Sequence, residues 1–158
     1  ILRYFNPVGA HKSADLGEFS ILNSTNLVPK ICTTILGITE FVPIYGNDYP
    51  TKDGTGIRDY VHVNDLAIAH ISSLDYLSKN SKNLVLNLGS ETGFSVLEIL
   101  EKTKHILNID IPCKIEERRI GDVAKIVSSC ALAEDILEWE KKYSSLEILI
   151  QSTWEIYN

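Results

Sequence analysis

The sequence predicts a mixed α/β fold organised as a single lobe. Short apolar runs of strand length, such as residues 41–45 and 84–88, alternate with longer segments whose apolar residues recur every three to four positions. Turn-forming clusters separate the two kinds of segment, and the sequence contains no internal repeat. With 158 residues and 44% hydrophobic content, the chain can bury one core, so we expect one domain over residues 1–158.

The first third of the chain predicts a strand and a capped helix. Residues 1–5 form an apolar run that ends in the turn-forming cluster 6–9. Asn26 is placed to cap a helix over residues 27–36, and Gly37 is placed to end it. We therefore expect a strand, a long polar loop and then a helix.

A second helix is predicted after the short strand 60–63. Asn64 or Asp65 could cap it. Its apolar residues then recur at helical spacing as Ala67, Ile71 and Leu74.

Two capping boxes are predicted in the second half of the chain. Ser95 with Glu98, and Ser144 with Glu147, have the Ser-x-x-Glu spacing that opens helices. The strand at 84–88 precedes the first of them. Regular elements are therefore denser here than in the first half.

Charge and composition exclude several function classes. The formal net charge is −6 and the pI is about 5.2, which argues against nucleic-acid binding and against adhesion to an anionic membrane. No apolar run approaches the roughly 20 residues that span a bilayer. A small anionic ligand remains compatible, because a few convergent arginines outweigh the average charge locally.

Cysteine and histidine spacing predicts no metal site. The three cysteines are far apart and the four histidines form no pair with ligand spacing. Reduced thiols and a cytoplasmic location are the simplest expectation. The chain has no methionine, and we expect it to be an internal part of a longer reading frame.

Two arginine-containing loops are the candidate binding features. Arg58 follows a glycine-rich turn, and Arg119 precedes Asp122 in a second loop. Glycines allow close backbone approach, and a guanidinium fork matches phosphate oxygens. Asn6 at a strand end and Asn26 at a helix start suit the carboxyl edge of an open α/β sheet. From pattern alone, solvated ion pairs and ordinary turns remain the alternative for each loop.

Longer strings of sequence resemble one family. The chain is similar to the UDP-glucose 4-epimerases of the extended short-chain dehydrogenase/reductase family, in one order and over nearly its whole length. The strings that carry the resemblance are residues 3–11, 26–29, 44–63, 87–89 and 118–122, with Trp154 in the tail. The first string and the block 44–63 are the most specific.

The resemblance implies a role for each matching residue. Asn6, Asn26 and Leu27 would bind the sugar nucleotide. Ile44 and Tyr45 would present backbone and ring to the uracil. The diphosphate and the ribose would be held by Arg58, Arg119 and Asp122. The nicotinamide of NAD would lie beside Tyr4, Phe5 and Pro7.

The same resemblance implies the C-terminal, UDP-sugar-binding lobe of an enzyme, including edge strands of a parent sheet. The complete enzyme would interconvert UDP-galactose and UDP-glucose through a 4-keto intermediate, using NAD, and would be a homodimer. The family's Tyr-x-x-x-Lys base and Gly-x-x-Gly-x-x-Gly turn are not in this sequence, so we expect the N-terminal Rossmann half to be absent and the chain alone to be inactive.

One position bears on substrate range. Ile126 stands four residues after Asp122, where the family limits the room for an N-acetyl group, and UDP-N-acetylhexosamines are a further expected ligand. The alternatives are another nucleotide-sugar epimerase or dehydratase of the same family, and a non-catalytic nucleotide-sugar-binding module.

Overall fold

A computed structural model of the chain describes residues 1–18, 24–80 and 82–158. The strands come in pairs, each pair is followed by a helix, and one more helix closes the described chain. The strands are β1 (Leu2–Tyr4), β2 (Asn6–Val8), β3 (Val42–Tyr45), β4 (Ile57–His62), β5 (Leu86–Leu88), β6 (Gly93–Ser95), β7 (Cys113–Glu116) and β8 (Lys125–Ile126). The helices are α1 (Leu27–Ile35), α2 (Val63–Lys79), α3 (Val96–Leu107), α4 (Ala131–Leu137) and α5 (Leu146–Glu155).

The strands pair mainly in parallel, in three small sheets. β1 pairs with β5, and β3 pairs with β7. β4 pairs with β2 and β8 in parallel and with β6 antiparallel. The predicted α/β class is confirmed, and β4 is the strand with the most neighbours.

Three of the four residues in the predicted turn 6–9 form a strand instead. Asn6–Val8 is a strand whose residues pair with β4 in the register Asn6 to Tyr60. Pro7 is tolerated because β2 has a neighbour on one side only in the described chain. The turn is confined to the last residue of the cluster, Gly9, whose φ is +94°. A Cβ there would lie 2.4 Å from the His62 ring, so the close packing also requires glycine.

Two hydrophobic clusters lie on opposite faces of β4. Tyr60 belongs to a cluster with α1, β3, α3 and α5, while Val61 belongs to a cluster with α2, β5 and α4. Successive side chains of a strand point to opposite faces, which explains the division.

Three helix starts test the capping predictions. Ser95 and Glu98 form both hydrogen bonds of the capping box at α3, as predicted. At α5 the prediction was wrong by one residue, because Ser145 caps the helix while the Ser144 hydroxyl donates to Asp65. Asn26 is the N-cap residue of α1, but its side chain makes no capping hydrogen bond.

The predicted cap of α2 is also wrong. The His62 ring accepts a hydrogen bond from the backbone N–H of Asn64 and is the cap. Asp65 is instead buried against residues 142–144. Ile71 and Leu74, whose spacing predicted helix α2, are 63% and 67% exposed, so they do not form its buried face.

In the part of the chain that the structure describes, no helix has the length and apolarity to cross a membrane.

Candidate functional site

A cavity of about 380 Å³ opens on one side of β4. Its walls come from β2, the first turn of α1, β3, β4 and the loop that follows β7. Eight of the residues singled out from the sequence line it: Asn6, Pro7, Asn26, Leu27, Tyr45, Arg58, Arg119 and Asp122. Residues that are far apart in sequence therefore converge on one polar site.

Arg58 is held at the cavity wall by its own strand and by the loop before β8. Its Nη1 donates to the carbonyl oxygens of Ile57 and Val123, both at 2.9 Å. Its Nη2 lies 3.5 Å from Asp122 Oδ1, and the two side chains are 18% and 38% exposed. The guanidinium is therefore fixed in orientation while part of it still faces the cavity.

The adjacent arginines Arg118 and Arg119 have different surroundings. Arg118 Nε donates to Asp48 Oδ1 at 2.6 Å, and this hydrogen bond holds the pKa of Asp48 below its usual value. Arg119 has no acidic partner within 4.0 Å among the described residues. Its guanidinium carbon lies 3.8 Å from the centroid of the Tyr45 ring. Arg119 therefore brings an uncompensated charge, stacked on an aromatic face, into the cavity.

The start of α1 forms another wall of the cavity. Asn26 and Leu27 lie there as expected, and Lys30 joins them one turn later. The first turn carries no acidic residue, so the positive end of the helix dipole is not compensated. Lys30 was missed in the sequence, although it lies within one turn of both residues.

Tyr60 is a second residue that sequence reasoning missed. It lines the cavity beside Asn6, its partner in the parallel ladder. Burial raises the pKa of Tyr60 to about 12, so the phenol stays protonated as a hydrogen-bond donor. The signal was available, since residues two apart on a strand share a face and Arg58 was already a candidate.

Four of the candidate residues do not line the cavity. Ile44 is 3% exposed and packs in the core, so only its backbone could reach a ligand. Ile126 is 42% exposed and pairs with Arg58 across β4 and β8. Tyr4 is 45% exposed, and its hydroxyl lies 2.6 Å from His70 Nε2. Phe5 follows it at the end of β1, half-buried.

The residues present fit a nucleotide better than they fit a whole dinucleotide cofactor. The cationic and aromatic groups in the cavity suit a diphosphate and a base. The sequence has no glycine triplet that could cradle a dinucleotide, so this chain offers at most Tyr4, Phe5 and Pro7 to a nicotinamide. Among the described residues, no group of three or more His, Cys, Asp and Glu is arranged to hold a metal ion.

Comparison with known proteins identifies the family. The model of the family described as GDP-mannose 4,6 dehydratase matches residues 1–153. Relatives described as UDP-glucose 4-epimerase include one from Lacticaseibacillus casei, 43% identical over 97% of this chain and 46% of the relative. Another, from Schizosaccharomyces pombe, is 42% identical over 98% of this chain and 43% of the relative.

Solved structures agree with the sequence comparison. The UDP-glucose 4-epimerase of Stenotrophomonas maltophila, with bound NAD and formylated UDP-arabinopyranose, superposes with a TM-score of 0.95 at 40% identity, covering 99% of this chain and 46% of the other. That of Bifidobacterium longum, in complex with NAD+ and UDP, has a TM-score of 0.88 at 38% identity, covering 98% of this chain and 46% of the other.

The chain belongs to the family that the GDP-mannose 4,6 dehydratase model defines. Within that family its similarity is to UDP-glucose 4-epimerases, and it matches their C-terminal part. The chain spans about half the length of the curated relatives that it matches.

Proposed function

We propose that this chain forms the UDP-sugar-binding part of a UDP-glucose 4-epimerase, which interconverts UDP-galactose and UDP-glucose. The observation that carries the proposal is the convergence of Arg58 and Arg119 on one cavity with Asn6, Asp122 and the start of α1. The similarity to epimerases along the whole chain supports the same reading.

The two arginines are suited to the diphosphate. They approach the cavity from β4 and from the loop after β7, so they can contact phosphate oxygens from two directions. Guanidinium groups donate two parallel hydrogen bonds to such oxygens, and Arg58 is already oriented by two backbone carbonyls. The N–H groups at the start of α1 add donors and a favourable dipole.

The base and the ribose have their own candidate partners. The Tyr45 ring, covered on one face by Arg119, offers a flat surface for uracil. Asp122 can accept hydrogen bonds from ribose hydroxyls, and Asn6 and Tyr60 offer further donors to a ligand in the cavity. The hexose would then lie toward Asn6 and Pro7.

The hexose end is where the oxidation would take place. NAD, when bound, supplies reversible hydride acceptance at C4 of the hexose. This chain's own part is to orient the sugar with Asn6 and to place Tyr4, Phe5 and Pro7 beside the nicotinamide. It carries no Tyr-x-x-x-Lys pair to move the proton, so we expect no turnover of UDP-galactose by the 158 residues alone.

The proposal is tested by calorimetric titration of the chain with UDP and UDP-galactose. We expect Arg119→Ala to weaken both affinities about 10- to 100-fold, because a hydrogen bond to a charged group contributes about 1.5–3 kcal/mol. Arg3→Ala is the matched control, since it removes the same charge from an exposed position outside the cavity lining.

Two results would count against the proposal. Equal losses for Arg119→Ala and Arg3→Ala would mean that only the overall charge matters. Absence of binding by the unaltered, folded chain would mean that these residues do not form a nucleotide site by themselves.

A further inference from the structure

The hydroxyl of Tyr49 is buried without a hydrogen-bond partner. Tyr49 is 5% exposed, and its Oη is the one buried side-chain polar atom in the described residues for which no partner is found. Buried hydroxyl groups are almost always paired, because leaving one unpaired costs the free energy of removing it from water. An exception of this kind calls for an explanation.

The Tyr49 ring is not free to carry the hydroxyl out to solvent. The guanidinium carbon of Arg118 lies 4.1 Å from the ring centroid, and Asp48 holds that guanidinium through two hydrogen bonds. On another side the backbone of Gly46 is so close that a Cβ there would lie 2.8 Å from the ring. The Tyr49 backbone N–H is also fixed, by a 2.9 Å hydrogen bond to the Gly54 carbonyl.

Tyr49 lines the same cavity as the arginines, and its ring contacts Gly46, which follows Tyr45, and Arg118, which precedes Arg119. Asn6 pairs with Tyr60. The first residue of β4, Ile57, is three residues before Tyr60, so the two are about 10 Å apart along the extended strand. Tyr49 is tied to Gly54, three residues before that strand begins. It therefore lies beside Tyr45 and Arg119, the residues proposed to hold the base and the diphosphate.

We propose that the Tyr49 hydroxyl donates a hydrogen bond to an oxygen acceptor on the nucleotide part of the ligand. The contact rests on the proposed function, because it assigns one more residue to the same site. A ligand oxygen would supply the partner that the described chain does not, after the cavity wall shifts enough to uncover the hydroxyl, and the clamped ring would lose no side-chain freedom on binding. Arg118 and Gly46 would act as positioning residues, since each contacts the ring.

The test is Tyr49→Phe, measured by both ligand affinity and thermal unfolding. We expect affinity for UDP and for UDP-galactose to fall by the same factor, about three- to tenfold, as for the loss of one neutral hydrogen bond. The melting temperature should stay the same or rise by about 2–4 °C, because the variant removes an unpaired buried group from the free protein.

Tyr143→Phe is the matched control, because it removes a hydroxyl from a 39% exposed ring outside the cavity lining. It should change neither quantity. A lower melting temperature for Tyr49→Phe with unchanged affinity would overturn the contact, since the hydroxyl would then have a structural partner. A loss seen with UDP-galactose alone would overturn it as well, because the acceptor would be on the hexose.

The two proposals fail in different ways. If the unaltered chain binds UDP and Tyr49→Phe binds it equally well, only the Tyr49 contact is wrong. If the unaltered chain binds neither ligand, the proposed function fails and the contact fails with it.

Discussion

The two faces of β4 use charged residues in opposite ways. On one face Arg58 and Tyr60 line the cavity, and Arg58 keeps part of its guanidinium unpaired. On the other face Asp59 is fully buried and accepts hydrogen bonds from the backbone and hydroxyl of Ser90, from the Glu91 N–H, and from the backbone and hydroxyl of Ser128. Arg58 and Asp59 are adjacent in sequence, yet Arg58 is a candidate ligand contact and Asp59 is a structural anchor.

The difference shows how the surroundings of a charge reveal its role. A buried carboxylate is stable only when hydrogen bonds replace the water it has lost, and Asp59 has five of them. A cation that awaits an anionic ligand must keep donors unused. Asp65 is a second buried carboxylate that is stabilised like Asp59, by hydrogen bonds that residues 142–144 donate to it.

The comparison predicts that Asp59→Asn and Arg58→Lys lose different properties. Asp59→Asn leaves two or three buried donors unpaired, and we expect the free energy of unfolding to fall by about 3–5 kcal/mol. Arg58→Lys keeps the charge but not the fork, so we expect about 1 kcal/mol less stability and about tenfold weaker UDP binding. Urea unfolding followed by circular dichroism and calorimetric titration measure the two quantities.

Asp75→Asn is the control for stability, because Asp75 is exposed on α2. It should change the free energy of unfolding by no more than about 0.5 kcal/mol. If Asp59→Asn were equally mild, the five hydrogen bonds would not be anchoring the loops, and the distinction between the two faces would be lost.

Much of the fold and of the site was predictable because it depends on local patterns. Helical spacing and the Ser95–Glu98 capping box placed α3, and the strand at Leu86–Leu88 lies within the run predicted for it. Arg58 and Arg119 were found from residue chemistry and from the family resemblance, and both line the cavity. The different roles of the adjacent Arg118 and Arg119 could not be derived from the sequence. They depend on Asp48, which pairs with Arg118 and lies 70 residues away from it.

The capping errors have one physical origin, which is competition for a polar side chain from distant segments. Asp65 has the residue type and position of a helix cap, but residues 142–144 offer it more donors than the first turn of α2 does. Ser144 is drawn to Asp65 for the same reason, and Ser145 caps α5 instead. Position 89 is also constrained by a residue distant in sequence. A Cβ there would lie 2.6 Å from Asp59 Oδ2, so only glycine leaves room for the carboxylate.

A smaller effect is expected from His62, at the end of the face that carries Arg58 and Tyr60. Helix α5 closes this end, and the His62 ring is 1% exposed with Nε2 3.0 Å from Ser152 Oγ. Burial lowers the pKa of His62 from 6.5, although nearby Asp65 partly offsets the shift. The unfolded chain then takes up a proton at a higher pH than the folded chain, so stability is full above about pH 6.5 and is lost as the pH falls.

The slope of unfolding free energy between pH 7.5 and 5.5 measures this effect. One proton contributes at most about 1.4 kcal/mol per pH unit, and we expect a decline within that limit. His62→Gln should flatten the curve from a lower starting stability, whereas His105→Gln, at an exposed position on α3, should leave the slope unchanged. An unchanged slope in His62→Gln would assign the pH dependence to other groups.

Labelling of cysteine thiols is the smallest perturbation, because its first step uses the unaltered chain. It tests whether the Asp59 face is closed to solvent. Cys130 lies within that face, 3.2 Å from the Ser128 hydroxyl, and burial raises its pKa. Burial also raises the pKa of Cys32 to about 12, while Cys113 is exposed on β7. Because the thiolate is the reactive form, we expect iodoacetamide to modify Cys113 alone in the folded chain, as read by peptide mass spectrometry.

Asp59→Asn should make Cys130 reactive while Cys32 stays protected, because the substitution frees the Ser128 loop and leaves α1 untouched. Rapid labelling of Cys130 in the unaltered chain would mean that the Asp59 face opens as readily as the cavity face, and the contrast between the two would then not hold in solution.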